Sequence, residues 1–184
     1  MLASARVLAL DIAPNKTGYA HDGPDGAPVG GVWRVSERDK GCHGDHARAF
    51  QMWLRQLCGS IFTPGEIGIL AFESPMVRAG GNHRGAPTNA NTVIMQLGLT
   101  VCAEVVASER GLVCHGGHIG TIRKTFTGTG RADKAMVQQR CSMLGWRFVD
   151  DNHADAICVW HWAKASFTSS YRPHVVTPLL RGVG

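Results

Sequence analysis

The sequence predicts an α/β fold, on three observations. Two short apolar runs, Arg6 to Leu10 and Ile67 to Phe72, each end at an acid, Asp11 and Glu73. Between them lies a glycine-rich stretch, Gly18 to Val35, with brief strand-like pieces. Apolar residues recur at three- and four-residue steps from Asp45 to Leu57, and long helical patterns fill the second half. Early strands with later interleaved helices make a sandwich of α/β or α+β type. A chain of 184 residues suits one domain.

In chain order, Arg6 to Leu10 reads as a strand that delivers Asp11 to its end, because Pro14, Asn15 and Gly18 turn the chain just afterwards. Two antiparallel strands are expected between Gly18 and Val35, punctuated by Asp22-Gly23 and Asp25-Gly26. In the segment 45–57, Ala47, Phe50, Trp53, Leu54 and Leu57 form one stripe opposite Arg48, Gln51 and Arg55, the pattern of a helix that covers a sheet. Ile67 to Phe72 is compact and stopped by Pro75, as a buried strand would be.

A long helix is expected from about Ala90 to Ser108, with Gln96, Thr100, Glu104 and Ser108 as its one polar stripe. So apolar a helix needs cover on more than one side, from the sheet and from a partner subunit. Leu112 to Cys114 reads as another strand, Arg131 to Leu144 as a helix ended by Gly145, and Asn152 to Phe167 as a last helix. Residues 168–184 carry Pro173 and Pro178 with little periodicity, so the domain is read as 1–167 with an irregular extension.

The balance of charge is +5, which favours a polyanionic partner. Its distribution says more. Arg123, Lys124, Arg131, Lys134, Arg140 and Arg147 face one acid, Asp133, between Thr121 and Arg147, and Arg78 and Arg84 stand between Met76 and Asn91 without any. No run approaches the roughly 18 consecutive apolar residues of a membrane span, and Met1 to Arg6 lacks the features of a signal peptide. A cytoplasmic protein is expected, with no membrane partner. Six scattered cysteines include no C-x-x-C pair, and Cys42-His43 with His46 and Cys114-His115 with His118 fit no common zinc spacing.

Acids at the ends of buried strands need a physical reason. Carboxylates brought together repel and raise one another's pKa, whereas divalent cations neutralise them and hold them ionised. A cluster of three or four therefore points to magnesium or manganese. The third acid comes from the last helix, where Asp151 and Asp155 are four residues apart and share a face, with Asn152 nearly on the same side and His153 pointing elsewhere. Asp155 lies inside the helix and has the weaker structural excuse. Asp151 is either a ligand or a helix cap.

Four motifs then carry a resemblance: Leu8 to Asp11 with Lys16-Thr17-Gly18; Phe72-Glu73-Ser74-Pro75; Ile122 to Lys134 with Gly128 and Gly130; and Asn152 to Ala156. In order and spacing they resemble the motifs of RuvC-type Holliday junction resolvases, especially the phage and prophage branch, over nearly the whole chain up to about His161. The resemblance implies an RNase H-like fold with a central five-stranded mixed sheet flanked by helices, a homodimer, and resolution of four-way DNA junctions by paired nicks. It also implies two Mg2+ ions per site, with Mn2+ able to substitute, held by Asp11, Glu73 and Asp155. A fourth ligand is Asp151, or less favourably Asn152 or His153. Lys134 would contact the scissile or a neighbouring phosphate, and Arg78, Arg84, Arg123, Lys124 and Arg131 would complete the DNA-binding set.

The chain departs from cellular members in three places. Ile12-Ala13-Pro14 stands where they carry a glycine, Asn152 where they carry an acid or histidine, and Met76-Val77 where many carry an aromatic residue. Three other readings compete: a nuclease of this superfamily acting on other branched DNA or RNA–DNA hybrids, a non-catalytic junction-binding protein, and an actin-like or sugar-kinase ATPase, whose two such domains exceed this length.

Overall fold

The computed structural model describes residues 4–75 and 90–172. Met76, Val77, Arg78, Arg84 and the segment from 173 onward lie outside the described residues. The elements run β1 (Val7–Asp11), β2 (Lys16–Asp22), β3 (Pro28–Arg34), a single 3-10 turn (Glu37–Asp39), α1 (His43–Ile61), β4 (Ile69–Glu73), α2 (Ala90–Glu109), β5 (Val113–Gly117), α3 (Ile119–Thr127), α4 (Lys134–Met143) and α5 (Asp151–Phe167). The five strands form one mixed sheet in the order β3-β2-β1-β4-β5. β1 pairs antiparallel with β2, and β2 with β3; β1, β4 and β5 run parallel.

Side chains alternate across a strand, and this divides the core in two. Leu8, Leu10, Leu70 and Phe72 face α1 and α2, packing on Phe50, Leu54, Leu99, Ala103 and Val106. Val7, Ala9, Ile69 and Ala71 face the other way, onto α3, α4 and α5, with Ile122, Phe126, Val137, Ile157 and Trp160. Small residues dominate the second interface: Ala9, Ala20 and Ala71 on the sheet meet Ala154 and Ala156 on α5. That lets α5 lie close against the sheet. At Gly18 the approach is closest, since a Cβ there would collide with the backbone carbonyl of Asn152.

Several boundaries differ from the sequence expectation. The helix expected from Arg131 starts at Lys134, because the Asp133 side chain accepts from the Met136 N–H and caps it. It stops where Gly145 takes a φ of 71°. α3, with Gly128 ending it at φ 86°, was legible only as part of a motif. The last helix begins one residue earlier than expected, at Asp151, and its cap is Asp150, whose carboxylate accepts from the His153 N–H. Asp151 is therefore inside the first turn rather than its cap.

α2 occupies the expected range, but its polar stripe does not face outward as a unit. Thr100 is buried and donates to the Gln96 carbonyl, and Gln96 donates to the Ile12 carbonyl at 3.5 Å. Glu104 and Ser108 stay exposed, and beside them an apolar stripe is left outside: Ile94, Leu97, Val101 and Val105 are all exposed. By length and composition α2 is apolar enough to span a membrane, although Leu99, Ala103, Val106 and Ala107 bury one side of it in the core. Beyond α5, Thr168 donates to the Lys164 carbonyl and Tyr171 packs edge-on against Trp160 and His161.

Candidate active site

The same alternation that builds the core sets the acids. Counting by twos along β1, Asp11 follows Val7 and Ala9 onto the α5 side; along β4, Glu73 follows Ile69 and Ala71 onto that side too. Because β1 and β4 are parallel neighbours, with Leu10 opposite Phe72, both acids leave the sheet at the same end. Asp155, one turn into α5, faces them. Two strand ends and one helix thus converge on a single patch.

The electrostatics record how close they come. Burial first, then the neighbouring Asp155 and Glu73 charges, raise the Asp11 carboxyl to about 8, with Lys134 opposing. Glu73 and Asp155 are also pushed up, chiefly by burial, while Arg123 and Lys134 pull both back down. As placed, no three His, Cys, Asp or Glu side chains among the described residues stand close enough to share an ion. The donor set is nevertheless of the right kind. Anionic oxygens that repel one another in a poorly hydrated corner are stabilised by hard divalent cations such as magnesium or manganese.

Asp151 stands apart electrostatically from the other three. Its carboxylate accepts from Lys134 Nζ at 2.5 Å and Lys16 Nζ at 3.1 Å, and these hydrogen bonds hold its pKa well below the ordinary range. Lys134 is raised in turn, first by that hydrogen bond. The geometry gives Asp151 the work of holding two lysines. Asn152 and His153 are both buried. His153 Nδ1 accepts from the Val149 N–H at 3.1 Å, so that lone pair is committed to backbone, and burial lowers its pKa. Asn152 Oδ1 is enclosed without a hydrogen-bond partner.

Among the basic residues, Arg123 joins Lys134 beside the acids. Its Nη1 donates to the Ala132 carbonyl at 2.6 Å, which ties α3 to the loop before α4 and keeps the guanidinium beside Glu73 and Asp155. Lys124 and Arg131 are exposed. Sequence reading quoted Lys16 only as part of the first motif, with no role, and did not single out Asp150 or Arg34. Asp150 accepts from Lys16 at 3.4 Å and Arg34 at 3.3 Å, and so extends the charged lattice from α5 across β2 to β3. Asp150 was findable, as a cap residue just before a helical pattern; its partners depend on strand register.

No family model matches the sequence, and no curated protein is recognisably similar to it. Solved structures are. The RuvC of Thermus thermophilus superposes with a TM-score of 0.62 at 16% identity, over 87% of this chain and 95% of that one. The chain has the RuvC-type, RNase H-like fold. A second T. thermophilus RuvC structure, in complex with a Holliday junction substrate, gives a TM-score of 0.66 at 15% identity over 88% and 93%. The yeast mitochondrial Holliday junction resolvase Ydc2 gives 0.55 at 13% over 87% and 78%. The RuvC-type fold therefore extends over most of the described chain, carried by layer architecture at an identity too low for the sequence to be aligned directly.

Proposed function

We propose that this protein is a metal-dependent, structure-selective DNA endonuclease that resolves four-way junctions by paired symmetric nicks. The convergence of Asp11, Glu73 and Asp155 at one end of a RuvC-type sheet carries the reading. These three would hold two magnesium ions, with manganese able to substitute. Bound there, such ions supply Lewis-acid activation of water and charge compensation at the leaving oxygen. Arg123 and Lys134, set against the carboxylates, offset charge at the phosphate. Lys134 is held in place by Asp151, and Lys16 shares that carboxylate. Lys124 and Arg131, with Arg78 and Arg84 from the segment after Glu73, are assigned to phosphates further along the DNA.

A four-way junction asks for two sites on one face, which a two-fold dimer supplies. The exposed stripe of Ile94, Leu97, Val101 and Val105 on α2 supports that assembly, because steps of three and four residues put these side chains on one line of the helix. A soluble, cytoplasmic dimer would cover this stripe and leave no membrane-seeking face.

The test is to incubate the protein with a labelled four-way junction, a linear duplex and an RNA–DNA hybrid, with magnesium or EDTA, beside Asp11→Asn. Symmetric junction nicks that disappear with EDTA and with the variant are the expected result. Preferential cutting of the hybrid would redirect the assignment to a different nuclease, and binding without cutting in either metal would make it a junction-binding protein.

A further inference from the structure

Beside β3, on the α1 side of the sheet, lies a cavity of about 660 Å3 that the carboxylate site does not use. Trp33, Arg34, Arg38, Asp39, Arg48 and Met52 line it. Its volume is that of a small-ligand site, and its walls combine two chemistries. One is a fixed aromatic plane: the Trp33 indole stacks on Trp53 with ring centres 5.2 Å apart and meets Phe50 edge-on at 5.6 Å. The other is positive charge. Arg34, Arg38 and Arg48 line the cavity with one carboxylate, Asp39, which binds Arg38 at 3.6 Å and Arg48 at 3.5 Å and accepts from Ser36 Oγ at 2.5 Å, while Arg34 is held by Asp150. Asp39 thereby orients both arginines while cancelling only one charge. The Arg38 and Arg48 side chains remain 89% and 60% exposed, leaving guanidinium donors for a ligand.

The cavity is also joined to the catalytic end of the sheet. Arg34 lies opposite Lys16 in the β2–β3 register and reaches Asp150, which Lys16 also binds. Lys16 in turn shares Asp151 with Lys134. A line of alternating charges thus runs on the α5 side from the acids to Arg34, and the cavity opens beyond it, round the edge strand β3.

We infer that this cavity holds one nucleotide of the bound DNA where a strand rounds the β3 edge of the sheet, its base against Trp33 and its phosphate between Arg38 and Arg48. The inference rests on the endonuclease reading and adds a second, strand-specific contact to it. A planar base is stabilised on an indole, and a guanidinium pair matches the phosphate oxygens.

The experiment uses the full chain in EDTA with a single-stranded oligonucleotide of about 12 nucleotides carrying 5-iododeoxyuridine, irradiated and mapped by peptide mass. Crosslinking to the peptide containing Trp33 is expected. In Arg38→Glu/Arg48→Glu, the crosslink should fall, oligonucleotide affinity should drop about tenfold, and the log-log salt slope should shrink by about 2. Trp33→Phe, which keeps an aromatic plane with less risk to the core, should retain the crosslink. Unchanged affinity in the double arginine variant, with no adduct at Trp33, overturns the inference. Quenching of tryptophan fluorescence by thymidine monophosphate, without any oligonucleotide adduct, would assign the cavity to a free nucleotide and overturn the strand assignment. Failure of the wild type to cut a junction in magnesium, with the Trp33 adduct intact, would remove the endonuclease reading and leave the cavity assignment standing.

Discussion

Lys134 Nζ lies 2.5 Å from Asp151 Oδ2, a contact that ties the first residue of α4 to the first residue of α5. Both side chains are partly exposed, so the pair adds little to stability. Its consequence is positional: it keeps an ammonium beside the acids. Asp151→Asn is therefore expected to slow junction cleavage about tenfold to a hundredfold, the scale for a displaced charge-stabilising group, while the magnesium concentration for half-maximal activity stays the same. A large rise in that concentration would instead make Asp151 the fourth metal ligand. Titrating magnesium against initial rate separates the two.

Asp11 should dominate both catalysis and the pH response of the metal-free protein. Its folded pKa of about 8 lies above the ordinary 3.8, so the folded state keeps a proton that the unfolded chain releases between those values. The stabilisation is fully present below the unfolded pKa and is lost as pH rises through the folded one. Glu73 and Asp155, also raised, act in the same direction. In EDTA, Tm should decline from about pH 5 to about pH 8. Asp11→Asn should flatten that decline and abolish cleavage, and magnesium should raise the wild-type Tm most at the alkaline end, because metal binding displaces the proton. An equally steep decline in the variant would place the titration elsewhere.

Gly18 is a packing requirement rather than a turn residue. A methyl group there meets the Asn152 carbonyl, which is backbone and has no rotamer to yield. Gly18→Ala should cost at least about 1–3 kcal/mol, read as a lower denaturation midpoint. It should also impair cleavage, because relief requires α5, and Asp155 with it, to move off the sheet. Full activity with unchanged stability would mean that α5 sits further from β2 than the structure has it.

The α2 stripe makes a prediction about assembly. Val101 is 56% exposed, so a charge there costs the monomer little but disrupts a dimer seated on it. Val101→Glu should shift the mass measured by light scattering from dimer to monomer and convert paired junction nicks to single nicks. A wild type that is monomeric at working concentration would remove α2 as the dimer surface.

How much of this was legible in the chain depends on the range of the interaction. Apolar runs stopped by Asp11 and Glu73, the helical spacing of Phe50, Leu54 and Leu57, and the Gly145 stop are local signals, and each maps to an element. Alternation along β1 and β4 even implies which face each acid takes, once they are known to be strands. The motif order pointed to the RuvC-type fold where whole-sequence comparison found nothing, since a few chemically constrained positions persist when the rest of the core drifts among apolar residues of similar volume.

Tertiary structure decided the rest. The cap of α5 falls on Asp150 rather than Asp151 because α5 is pressed on β2 and two lysines compete for the next carboxylate. Thr100 turns inward although its neighbours in the polar stripe suggest otherwise, because its hydroxyl bonds the Gln96 carbonyl within the helix and so can be buried. Arg34, Arg38 and Arg48 are unremarkable in the chain and converge only when β3 lies at the sheet edge beside α1. Sequence by itself determined the period of each element and the kinds of atoms at its ends; register, close approach and the pairing of distant charges are many-body properties, settled only when the layers pack.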